Sequence, residues 1–201
     1  MAVIWKRLPA AEAIDALADG SLPSIVPTTS GIYIWRRNFD CDPRVVASAD
    51  SFTRWITDIT RSPVAVVERK PLTHCVDLVG LIVGGGLISA DKQATLEEIA
   101  ANRKLREKVA TYIASISMYL PPIYIGQADS FLTRIRQHLK GETSLKEYVE
   151  NQLGLQLADL LFCYHELSKS TSVSAKTKQV QQFFEFISQR LLAPFGTKRP
   201  G

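Results

Sequence analysis

Cysteine is scarce in this chain of 201 residues: Cys41, Cys75 and Cys163 are odd in number and widely separated. No pair has the spacing of a metal finger and no even set implies a disulfide framework, so reduced thiols are expected. No uninterrupted apolar run reaches membrane-spanning length, since the longest, from Val76 to Ile88, is broken by Asp77, Gly80 and the triplet Gly84–Gly86. That triplet lacks the Lys-Ser/Thr that follows a phosphate-binding loop, which excludes a P-loop. The first residues, Met-Ala-Val-Ile-Trp-Lys-Arg-Leu-Pro, lack the apolar centre of a signal peptide. These absences predict a cytoplasmic protein without a membrane partner. Internal repeats and a linker between independent halves are also lacking.

The chain is 46% hydrophobic and 22% charged, which suits an ordinary globular domain able to bury a core without staples. Its net charge of +4 is compatible with a nucleic-acid partner but does not demand one.

Apolar periodicity predicts helices over 9–18, 51–60, 95–119, 129–140, 145–153 and 178–192. Asp50 or Ser48 is expected to cap the second, a Thr95/Glu98 capping box to open the third, and Asp129 or Ser130 to cap the fourth. Strands are expected at Gly31–Trp35, Val64–Val67, Cys75–Val83, Ile123–Gly126 and Leu160–Leu167. Pro23 and Pro27 punctuate a loop, and 168–178 reads as a polar loop. The expectation is one α/β (α+β) domain: a small mixed or antiparallel sheet flanked by helices. A mostly helical subdomain at about 36–118 is expected as a long insertion between the first two core strands.

Two tripeptides carry the chemical signal. Gly31-Ile32-Tyr33 is one. Tyr124-Ile125-Gly126 is the other, and it continues as Gln-Ala-Asp-Ser-Phe-Leu-Thr-Arg-Ile-Arg-Gln-His, with Arg134 and His138 one helical turn apart on one face. Taken singly, Tyr33 and Tyr124 are ordinary strand tyrosines, His138 is an ordinary helix residue and Glu185 a solvated helix glutamate. Taken together, this pattern resembles the core of the GIY-YIG endonuclease family.

The resemblance implies a metal-dependent hydrolysis of DNA phosphodiester bonds. Tyr33 would help deprotonate the attacking water with His138. Tyr124 would position phosphate or water, and Arg134 would neutralise the phosphate. Glu185, taken to start the last helix ahead of Leu191-Leu192-Ala193-Pro194, would bind Mg2+ or Mn2+; Glu147 and Glu166 rank behind it. Arg136, Lys140, Lys176 and Lys178 are candidate nucleic-acid contacts, with a solvated surface as the alternative for each. Two departures from the family pattern stand out. Residues 34–123 separate the tripeptides where about ten residues are usual, and Thr197 stands roughly where the family has an asparagine. Restriction, defence, repair or mobile-element cleavage would suit such an enzyme, as would a homodimer. The alternatives are a catalytically impaired nucleic-acid-binding module of the same fold and an RNA-directed nuclease.

Overall fold

The run Ser-Gly-Ile-Tyr-Ile-Trp-Arg-Arg at 30–37 forms a strand that is buried on both faces over its first six residues, which is why it reads as a continuous apolar run rather than an alternating one. The computed structural model describes residues 5–61, 69–72, 75–78, 88–117, 119–168 and 175–192. Along the chain these form β1 (Lys6–Pro9), α1 (Ala10–Ala18), α2 (Leu22–Ile25), β2 (Ser30–Arg37), α3 (Pro43–Ala47), α4 (Ala49–Arg61), β3 (Arg69–Leu72), β4 (Cys75–Leu78), α5 (Ala90–Ala101), α6 (Arg103–Ser117), β5 (Tyr124–Ala128), α7 (Phe131–Leu139), α8 (Ser144–Glu147), β6 (Leu160–Ser168) and α9 (Ala175–Leu192). A π-helical turn, Tyr148–Gln152, follows α8.

The chain divides into two units, one of Met1–Asn38 with Ser117–Gly201 and one of Phe39–Ile116. In the first unit four antiparallel strands lie in the order β1-β6-β2-β5. Tyr33 pairs with Gly126 on one side and Tyr164 on the other, while Trp35 pairs with Tyr124 and Phe162. Period-two alternation therefore sends Tyr33 and Trp35 to one face, into a core with Phe131, Ile135, Phe162 and Tyr164. Ile32 and Ile34 point to the opposite face, where Ile125, Leu161 and Cys163 join them.

The second unit has its own small core of Phe52, Ile56, Leu96 and Ala100. Buried Arg106 donates to the carbonyls of Val46, Ala47 and Ala100, and so ties α6 to the end of α3 and the end of α5.

Several sequence expectations need correction. The single helix over 95–119 is two helices, because Asn102 is extended (φ −113, ψ 112) and its Oδ1 accepts from the Lys104 and Leu105 amides. An apolar stripe of period 3.6 runs across that break and hides it, while the asparagine side chain competes with the backbone ladder. Thr95 is not a cap: it lies inside α5 and donates to the Asp91 carbonyl. The loop over 168–178 ends early, with α9 beginning at Ala175, so Glu185 lies in mid-helix rather than at its start. β1, α2, α3 and the strand β3 were not expected. The strand at 64–67, residues 79–83 of another, Gly84–Gly86 and the segment 193–199 lie outside the described residues.

Candidate functional site

Register alone brings the two tripeptides together: Gly31–Trp35 runs antiparallel to Tyr124–Ala128, with Tyr33 opposite Gly126. A β-carbon added at Gly126 would stand 2.5 Å from the Tyr33 hydroxyl and 2.9 Å from the Tyr124 ring. Glycine is therefore needed there so that the two phenols can lie over the strand, their ring centroids 6.0 Å apart.

α7 supplies the next component. Ser130 caps it by accepting from the Thr133 amide, and Phe131, Ile135 and Leu139 bury one face. His138 shares that apolar face and is only 1% exposed. Its Nε2 lies 2.9 Å from the Tyr33 hydroxyl and its Nδ1 lies 2.6 Å from the Thr143 hydroxyl. The rings of Tyr33, Trp35 and Tyr124 stand edge-on to the imidazole at 5.4–5.7 Å.

The electrostatics follow from that enclosure. Burial, with the Arg134 guanidinium adding to it, pushes the His138 pKa down to about 3, so the imidazole is neutral near pH 7. Burial also raises the Tyr33 phenol well above its ordinary value. Tyr124 and Glu185 push it in the same direction and Arg134 opposes them. Glu185 is raised too, by burial first and against the pull of Arg134.

α9 packs against β5 and β2. Gln189 reaches the Ile125 carbonyl at 3.5 Å, and Lys178 forms an ion pair with Asp129 at 3.7 Å, so the helix runs antiparallel to β5 with Glu185 between these two points. The Gln189 amide also donates to Glu185 Oε1 at 3.2 Å, which steadies the carboxylate.

Matched against protein-family models, curated proteins and solved structures, the chain finds no counterpart. The resemblance thus rests on the site's own residues.

Of the five core candidates, Tyr33, Tyr124 and His138 are in mutual contact, while Arg134 and Glu185 act on the same phenol through their fields. Arg136 is half-buried in the last turn of α7, and Lys140 is exposed at its C-cap. Lys178 is exposed and paired with Asp129. Lys176 lies in α9, but its side chain is outside the described residues.

Among the described residues no group of three or more His, Cys, Asp or Glu is arranged to hold a metal ion, and no helix is long and apolar enough to cross a membrane. Sequence reasoning missed two residues. Gln189 had only its four-residue offset from Glu185 to mark it. Thr143 sits beyond the helix end, where periodicity carries no information.

Proposed function

We propose that the chain is a metal-dependent endonuclease of the GIY-YIG type that hydrolyses DNA phosphodiester bonds. The observation that carries most of this reading is the Tyr33–His138 hydrogen bond of 2.9 Å. It joins groups 105 positions apart in the sequence, beside Tyr124 and within reach of the charges on Arg134 and Glu185.

The mechanism follows from what each side chain can do. Water attacking phosphorus must lose a proton, and the Tyr33 oxygen accepts it as its own proton moves toward His138 Nε2. Burial keeps the imidazole neutral, with a lone pair for that proton, but also makes it a weak base, so the transfer has to be coupled to loss of the proton on its other nitrogen. Tyr124 orients the water or phosphate. Arg134 meets the charge that gathers on the phosphoryl oxygens, a contribution typically worth about 3–4 kcal/mol of barrier.

Glu185 is the side chain that would hold a divalent ion. A half-buried carboxylate, steadied by Gln189 and raised by burial, is a donor that a cation relieves. One carboxylate suits Mg2+ or Mn2+, which retain several waters and take further oxygens from phosphate. It does not suit zinc, which needs more protein ligands. Such an ion, when bound, supplies Lewis-acid stabilisation of the phosphoryl charge. A homodimer and a role in restriction, defence, repair or mobile-element cleavage belong to the same proposal.

The test is nicking of supercoiled plasmid by purified protein with Mg2+, with Mn2+ and with EDTA. Cleavage is expected only with metal, and Arg134→Ala and Glu185→Gln should each slow it by about a hundredfold or more. Equal rates in all three proteins would remove the site assignment. Competition with RNA of the same sequence separates a DNA-directed from an RNA-directed enzyme.

Burial of Tyr33 and His138 to 1% exposure each favours a second reading, in which the pair is a satisfied core hydrogen bond and the chain binds nucleic acid without cutting it. Retained plasmid binding with metal-independent absence of nicking is its signature.

A further inference from the structure

We propose that Thr143 is a positioning residue of this site, closing a hydrogen-bonded chain from Tyr33 through His138 that sets the imidazole tautomer and gives the phenol proton a way out. The inference deepens the endonuclease reading and rests on it.

The geometry begins with how α7 ends. Gly141 adopts φ +73, its amide donates to the His138 carbonyl, and the Glu142 amide donates to the Gln137 carbonyl. This is a Schellman termination, which needs a residue tolerant of the left-handed conformation. It folds the chain back so that Thr143, just ahead of α8, returns to the helix it left. The Thr143 hydroxyl then lies 2.6 Å from His138 Nδ1, while Nε2 faces the Tyr33 hydroxyl at 2.9 Å.

Both ring nitrogens are thus occupied, and the ring is neutral. A neutral imidazole has one N–H and one lone pair, so its two bonds must run in the same direction along the chain. In one state Tyr33 O–H donates to Nε2 and Nδ1–H donates to Thr143. In the other, Thr143 O–H donates to Nδ1 and Nε2–H donates to Tyr33. In the second state the buried Tyr33 hydrogen would have to turn away from the imidazole inside the core, whereas the hydrogen of half-buried Thr143 turns to solvent in the first. The first state is therefore the resting one.

That state supplies the proton path. The attacking water gives a proton to the Tyr33 oxygen, whose own proton passes to Nε2. The Nδ1 proton passes to Thr143 Oγ1, and the threonine proton passes to bulk water. Each O–H or N–H bond broken is replaced by one formed, and the balance is one proton moved from the nucleophile to solvent. No imidazolium has to persist among three aromatic rings. The chain resets when a proton returns along it, from solvent through Thr143 to Nδ1 and from Nε2 through Tyr33 to the leaving oxygen.

The experiment combines nitrogen-15 NMR of the full-length protein, with His138 signals assigned by their loss in His138→Gln, and plasmid-nicking kinetics. Wild type and Thr143→Ser are expected to show the Nδ1–H tautomer. Thr143→Val keeps the shape but leaves Nδ1 without an acceptor for its hydrogen. It should switch to the Nε2–H form, with kcat lowered about tenfold to a hundredfold and KM unchanged. An unchanged tautomer in Thr143→Val overturns the proposal, as does a switched tautomer with wild-type kcat. Should wild type cut no nucleic acid at all, the endonuclease reading and the proton path fail together. The tautomer comparison then still decides whether Thr143 positions the ring.

Discussion

The two helices that carry the candidate site are built on opposite plans. α7 turns Phe131, Ile135, His138 and Leu139 inward and leaves Arg134 half-buried and Lys140 exposed, as an amphipathic helix should. α9 presents Gln181, Glu185 and Gln189, at four-residue steps, on its more buried side. Val180, Phe183 and Phe184 remain 44–60% exposed. The histidine half of the site is therefore held by apolar burial, which is non-directional and strong. Among the described side chains, the carboxylate half shows an amide hydrogen bond to Glu185, a long hydrogen bond to β5 and an exposed ion pair. The difference teaches where stability and function separate: α7 is part of the core, whereas the hydrogen bonds and ion pair described for α9 are of modest worth.

Acid is expected to produce the largest effect and to separate the helices by sign. The folded-state pKa of His138, about 3, is below the ordinary 6.5, so between these values the unfolded chain binds a proton that the folded chain refuses. Its contribution is fully present above pH 6.5 and is lost as pH falls toward 3, a loss of roughly 4–5 kcal/mol over the whole window. Glu185 runs the other way, because its folded value is raised and protonation relieves it. Urea unfolding in EDTA at pH 7.5 and pH 4 measures this. Wild type should lose several kcal/mol on acidification, and His138→Gln should lose far less. Parallel losses in both proteins would show that α7 does not hold a neutral histidine.

Paired truncations test the comparison next. Phe131 is wholly buried, and Phe131→Ala should cost about 3–5 kcal/mol. Phe183 is 60% exposed, and Phe183→Ala should cost only a few tenths of a kcal/mol. Denaturant midpoints at constant m-value read both. Similar costs at the two positions would mean that α9 buries its phenylalanines in solution.

The contrast also explains what the sequence disclosed. β2, β5 and α7 were legible because their hydrophobic period agrees with their burial, and because Ser130 and Gly141 mark the ends of α7 by side-chain and backbone chemistry. β1 was not, since Lys6 and Arg7 give it no strand pattern and only pairing with β6 makes it one. The break at Asn102 depends on one side chain accepting two amides. α9 was legible as a helix but not in its orientation, because an apolar stripe on Val180, Phe183 and Phe184 points the wrong way for a buried face. Glu185 was reached through resemblance to a family, and the second contacts, Thr143 and Gln189, depend on tertiary geometry that no local rule encodes.

Gln181 carries the smallest expected effect and bears most directly on the polar plan of α9. Its side chain is wholly buried, and neither amide atom has a hydrogen-bond partner among the described residues. A buried amide left unpaired costs more than an apolar group of similar size. Gln181→Leu should therefore stabilise the protein, by about 1–2 kcal/mol, with an unchanged m-value in urea. The stripe of Gln181, Glu185 and Gln189 would then be a departure from good packing that the helix tolerates in order to keep a carboxylate beside the phenols. Destabilisation by the same substitution would mean that the amide is satisfied in solution. α9 would then be docked as firmly as α7, by hydrogen bonds in place of apolar area.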